Sequence, residues 1–224
     1  MQLSTLIDNL AASELAQISL GTSNSENISD ANLAILVGHV NLGLMAIYSR
    51  FKLKEGKLIV PIEEGVLQYP LAAEDLLKVE SVKTDTGMPF PINDKGNPYS
   101  LHTPRVKLLD VPAVVVGQGP DLPDGYKTAA LTVEYRASHA QLEVEEVVNN
   151  GVNSVELELP GVYMQALMYF VASRAHNPAG MSNEFHAGNT WYAKYEGECM
   201  RLKLENYEID QAATVNRKAA KGFP

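Results

Sequence analysis

The hydrophobic period changes twice along this chain, from about 3.6 residues to two and back, and this limits the possible folds more than any single motif does. In the first part, Leu33, Leu36, Val37, Val40, Leu44, Ile47, Tyr48 and Phe51 recur at three- and four-residue steps. That spacing predicts a helix with one apolar stripe through about Arg50, capped by Ser29 or Asp30. About twenty residues at 1.5 Å each make a rod of about 30 Å. Before it, Leu3, Leu6, Ile7, Leu10 and Leu15 predict one helix, or two short ones, from Leu3 to about Ser19, with Ser4 and Ser13 as possible caps. A loop is expected over Gly21-Thr22-Ser23-Asn24-Ser25.

After Gly56 the period is two. Leu58, Val60 and Ile62, the turn Glu63-Glu64-Gly65 and the return from Val66 to Tyr69 read as a hairpin that Pro70 ends. Further strands are expected at Lys78 to Val82, Val106 to Leu109, Ala113 to Val116, Ala130 to Tyr135 and Ser154 to Leu159. The clusters between them, rich in Gly, Pro, Asn and Asp, favour turns. Helix returns at Pro160, a residue that suits a first helical turn. The run Val162 to Ala172 is apolar nearly all round and calls for burial on several sides. Asn177-Pro178-Ala179-Gly180 breaks it. A last helix, from about Ser182 to Tyr207, sets Trp191, Tyr192, Tyr195, Cys199, Leu202 and Asn206 along one stripe, with charges opposite. From Asp210 to Pro224 the pattern is lost, as in a flexible arm.

The expected fold class is therefore α+β: residues 1–56 and 160–207 form one helical bundle, 57–159 a small inserted antiparallel β-module, and 208–224 a C-terminal arm. No run approaches the roughly 18 apolar residues of a membrane-spanning helix, and no basic region precedes an apolar run at the N-terminus. No membrane partner is expected. Cys199 is the single cysteine, so neither an internal disulfide nor a cysteine-based zinc cluster is available. The net charge of −9 argues against a general grip on nucleic acid. Residues 211–224 carry Arg217, Lys218 and Lys221 without an acid, which leaves −12 on the remainder.

Groups that carry chemistry do not converge. His39, His102, His139, His176 and His186 show no i, i+4 pair. Ser138-His139 lacks a nucleophile elbow. Gly117-Gln118-Gly119-Pro120 lacks the lysine and hydroxyl of a phosphate loop. Glu156 and Glu158 alternate with Val155, Leu157 and Leu159, which places both acids on the solvent side. No catalytic residue, cofactor or metal site is assigned, and the protein is not expected to be an enzyme. Two features ask for partners. Trp191, Tyr192 and Tyr195 read either as core packing against the 161–176 helix or as a subunit interface, where such residues are enriched. The basic arm reads either as a solvated terminus or as a segment that wraps a partner.

The order of segments resembles the head-to-tail connector, or adaptor, proteins of tailed bacteriophages, particularly short-tailed ones. The likeness is carried by Leu3-Ser4-Thr5-Leu6-Ile7 through Ser13-Glu14-Leu15 and by the long helix ending Ile47-Tyr48-Ser49-Arg50-Phe51-Lys52-Leu53-Lys54. It continues through Tyr69-Pro70-Leu71, Asp75-Leu76-Leu77-Lys78-Val79 and Leu131-Thr132-Val133-Glu134-Tyr135-Arg136-Ala137. Leu159-Pro160-Gly161-Val162-Tyr163-Met164-Gln165-Ala166-Leu167 and Val171-Ala172-Ser173-Arg174 complete it, so residues 3 to 207 are covered. The resemblance implies a structural virion protein without cofactor. It would form a homo-oligomeric ring, typically a dodecamer, in the neck between head and tail, after assembly in the host cytoplasm. It would join the portal protein to a tail or nozzle protein and continue the DNA channel without binding DNA specifically. Arg201, Arg217, Lys218, Lys221 and Phe223 are then portal-docking candidates, and Trp191, Tyr192 and Tyr195 subunit-interface candidates. The alternatives are another tail-completion or tail-tube ring protein, or a small-molecule hydrolase or binding domain using the β-module loops.

Overall fold

The computed structural model describes residues 1–16, 28–176 and 182–205, with side chains of the last helix described from 187. The loop over 21–25, the break at 177–180 and the arm from 208 lie outside the described residues. The fold is α+β, with small antiparallel sheets. Its residues fall into two compact units, 1–43 with 142–224 and 44–141.

The first unit is helical. α1 (Leu3–Ala12) buries Leu3, Leu6, Ile7, Leu10 and Ala11 on one face. Neither Ser4 nor Ser13 is its N-cap. Gln2 holds that position without a side-chain bond, and Ser13 is the C-cap. The start of α1 is fixed instead by strand-like pairing of residues 1–3 with 155–157. Leu3 N–H donates to Val155 O at 3.0 Å, Leu157 N–H to Met1 O at 2.6 Å, and the Met1 ammonium to Leu157 O at 2.9 Å. Residues Ser154 to Leu159 therefore form no sheet strand. Ser154 closes a 3₁₀ turn (Val152–Ser154) and only Glu156 bridges, to Gln2. The alternation read there does hold, with Leu157 and Leu159 buried and Glu156 and Glu158 exposed.

α2 (Asp30–Arg50), whose residues from Leu44 on are counted with the second unit, begins where Ser29 Oγ accepts from the Asn32 N–H at 3.4 Å. Between Asp30 and Arg50 the helix carries no charge, and its most apolar 18-residue window has a mean hydropathy of 1.5. By length and composition alone it is long and apolar enough to cross a membrane, contrary to the expectation from unbroken apolar runs. Such a count stops at every Gly, Asn and His, whereas the average passes over them. Here Leu33, Leu36, Val37 and Val40 are buried in the protein. Asn41, inside the helix, makes a paired contact: its side chain donates to Leu142 O and accepts from Leu142 N–H, each at 2.9 Å. Gly43 is required by packing, because a Cβ there would lie 2.5 Å from Leu167 Cδ1 and 3.0 Å from Phe170 Cδ1. A short helix α4 (Val144–Asn150), unassigned from sequence, follows Leu142.

The second unit holds two three-stranded antiparallel sheets. The first orders β1 (Glu55–Pro61), β6 (Ala130–Ala137) and β3 (Leu76–Thr84) with β6 in the centre. The second orders β2 (Gln68–Pro70), β5 (Leu108–Asp110) and β4 (His102–Arg105). β6 has the plainest pattern, burying Leu131, Val133, Tyr135 and Ala137 alternately. Val60, Tyr69, Val82, Leu101, Leu109, Leu131 and Val133 share one core between the sheets.

The expected hairpin does not form. A turn exists, with Gly65 at φ +80°, but β1 pairs with β6 over seven positions and β2 pairs with β5. The preference of β1 is for a distant strand whose alternation matches its own, which neighbouring sequence cannot display. The strand expected at Ala113 to Val116 is a helical turn, α3 (Ala113–Val116). Pro112 at φ −59° opens it and the Gly117 N–H closes it on Ala113 O at 2.8 Å, outweighing the β-preference of three valines. The strand expected over Val106 to Leu109 is cut by a turn at 106–107 that joins β4 and β5.

Candidate functional site

The C-terminal hairpin of α5 (Met164–Ala175) and α6 (Ser182–Leu204) contains every described candidate residue. α5 buries Ala166, Leu167, Met168, Phe170, Val171, Ala172 and Ser173, as its all-round apolar sequence requires. α6 meets it with Tyr195, Cys199 and Leu202, all at most 2% exposed.

The three aromatics of α6 separate by role. Tyr195 is core, edge-on to Phe170 with ring centroids 5.2 Å apart. Trp191 is half-buried, stacked on Tyr169 at 5.7 Å and on His176 at 6.2 Å, with Lys194 Nζ 3.8 Å above its ring. A cation over an indole face is favourable and covers it. Tyr192 turns outward, 43% exposed, and touches Tyr195 at 5.7 Å. Core packing thus accounts for Tyr195 and most of Trp191, and Tyr192 is the most open of the three.

Arg201 sits on the outer side of α6 within its own network. It reaches Glu198 with two nitrogens, at 3.0 and 2.6 Å, and Glu205 at 2.6 Å. Those bonds push its already high pKa further up. Arg217, Lys218, Lys221 and Phe223 lie outside the described residues.

The sequence reading passed over the most exposed apolar side chains of the helical unit. Met200 is 68% and Leu204 82% exposed on α6, and Ile35 59% and Leu42 51% on α2. The signal was present in the spacing Ala193, Gly197, Met200, Leu204, which marks an uncharged stripe inside a face read as charged.

Nothing described resembles a reaction centre. A cavity of about 320 Å³ beside β1 is lined by Leu58, Val60, Val66, Tyr69 and Pro70, with Glu63 as its one carboxylate. No group of three metal-binding side chains occurs among the described residues. His39 is half-buried near Arg174, and burial followed by that cation lowers its pKa. His176 bonds Glu14 O at 2.8 Å.

The helical unit has open apolar faces, and the cavity of the β-unit carries little polar chemistry. The family model for the SU10 adaptor protein matches residues 1–219, and the chain belongs to that family, a family of structural phage adaptor proteins found in the virion. No curated protein matches the sequence.

Proposed function

We propose that the protein forms a closed ring, typically of twelve copies, that joins the portal to the tail and continues the DNA channel through the virion neck. The observation that carries this reading is the family match, which extends from residue 1 to 219 and so embraces both units. The chemistry agrees. A ring made by rotation uses two different surfaces on each subunit, and the helical unit offers open apolar surface on two helices. Residues 44–141 carry 11 bases and 12 acids, so −8 of the net −9 resides in the helical unit. Within it, residues 142–160 hold five acids and no base. Acidic surface repels DNA phosphates and lets the duplex pass.

Docking to the portal is assigned to the charged side of α6 at Arg201 and to the basic arm, with Arg201, Arg217, Lys218, Lys221 and Phe223 as contacts. The other end of the ring meets a tail or nozzle protein. Electron microscopy of the protein mixed with virion components should show an annulus between portal and tail. A truncation ending at Tyr207 should fold, with unchanged circular dichroism, yet no longer bind portal rings. Normal binding by the truncated protein would refute the docking assignment, and absence of any annulus in the particle would refute the ring.

A further inference from the structure

We infer that neighbouring copies meet through two particular helix faces, the Ile35–Gly38–Leu42 face of α2 on one copy and the Ala193–Gly197–Met200–Leu204 face of α6 on the next. This rests on the ring reading and names the surfaces that would close it.

Both faces lie in the helical unit and both are uncovered. Ile35 and Leu42 are seven residues, or about 10 Å, apart along α2, and are 59% and 51% exposed. Met200 and Leu204 are 68% and 82% exposed. Each face contains a glycine with no internal reason to be one. A Cβ added at Gly38 or Gly197 meets nothing within 4 Å, in contrast to Gly43, where Leu167 already stands at 2.5 Å. A mid-helix glycine is less stable than alanine, so two notches on two open faces point to something outside the subunit. Large side chains beside each notch, Ile35 and Leu42 on one helix and Met200 on the other, match ridges to grooves between packed helices.

Charge selects the occupant. Residues 31–49 of α2 contain no Asp, Glu, Lys or Arg, so a charged partner would lose solvation there without gaining a counter-charge. The chain's own residues 211–224 carry +3 and fit poorly. The α6 stripe is uncharged along its line, with Lys194, Glu196, Arg201 and Lys203 at its sides, where an interface keeps its wet rim. Area agrees as well. Two open side chains per face fall well short of the roughly 800 Å² per partner of a stable two-body interface. One such contact is weak, and only repetition around a closed ring makes it persist.

The test uses the full chain, whose only native cysteine, Cys199, is buried. Leu42→Cys copies are mixed with Met200→Cys copies, with and without portal rings, and oxidised. A cross-linked dimer is expected from the mixture, none from either variant alone, and a ladder from a chain carrying both changes. Cross-linking of one variant with itself would mean a two-fold contact and would overturn the pairing. So would the lack of any ladder with portal rings present, including the case in which α6 is covered by the chain's own C-terminal residues. Leu42→Asp and Leu204→Asp, both at open positions, serve as a second measurement. Each should keep its melting temperature while raising the concentration needed for assembly by about tenfold or more. Mixed together they should form dimers that extend no further, because each copy retains one good face. A ring seen by microscopy without the cross-link would refute these faces and leave the ring standing. A ladder without any annulus in the particle would do the reverse.

Discussion

The two units differ in how they carry charge. In the β-unit, charge is matched internally: Arg136 bonds Glu80 at 3.0 Å and Ser49 O at 2.8 Å, and Glu134 receives Lys83 and Ser81, each at 2.6 Å. Its net charge is −1. The helical unit keeps a strong acidic excess and two helix glycines with open space around them, while open aliphatic side chains occur in both units, Ile59 at 69% and Val106 at 55% among those of the β-unit.

The contrast is most easily broken in the β-unit core. Leu131→Ala on the central strand removes a fully buried side chain and should cost about 2–5 kcal/mol, read as a lower denaturant midpoint. If the β-unit is complete in itself, assembly of the folded fraction should be unchanged. Next in size are the tight glycines. Gly56→Ala drives a methyl to 2.1 Å from the ring of Tyr135, which is held by Asp75 at 3.0 Å. Gly43→Ala drives one against Leu167. Each should destabilise by about 1–3 kcal/mol in a thermal melt.

The open glycines should behave with the opposite sign. Gly38→Ala and Gly197→Ala are each expected to stabilise the isolated chain by about 0.5–1 kcal/mol. Both should weaken self-association, measured by sedimentation. Destabilisation of the monomer would show that the notches serve its own packing and would erase the distinction between Gly43 and Gly38.

Legibility from sequence follows the same division. α2, α5 and α6 were readable because a helix declares itself within one turn, and β6 because its alternation is strict. The sheet topology was hidden, since the pairing of Leu58 with Val133 spans 75 residues and leaves no local trace. β3 blurred its own period through irregularities between Leu76 and Lys78 and between Val79 and Ser81, so only Lys78 to Val82 looked like strand. On α6 the heavy aromatics drew attention, and packing turned Tyr195 inward, whereas Met200 and Leu204 passed as ordinary helix formers. A sequence shows which residues are apolar but not which ones folding leaves uncovered.

The smallest predicted effect separates the units by acid. Burial, then the nearby Arg174 charge, lowers the His39 pKa below its ordinary 6.5. The unfolded chain therefore takes up a proton near pH 6.5 that the folded helical unit still refuses. Stability from this group is intact above that pH and declines as pH falls toward the folded value. His39→Gln should flatten the loss as pH falls below about 6.5, measured as the difference in melting temperature from the wild type. In the β-unit the sign of the shift is shared but the window differs. Hydrogen bonds from Lys83 and Ser81 hold Glu134 below its ordinary 4.5, so its contribution is present above that pH and lost only as pH falls further. With its side chain 35% exposed, solvent screening keeps that contribution small. Glu134→Gln should thus leave the loss that begins near pH 6.5 untouched and soften only the loss below about 4.5. If both substitutions act in one window, acid does not distinguish the two units.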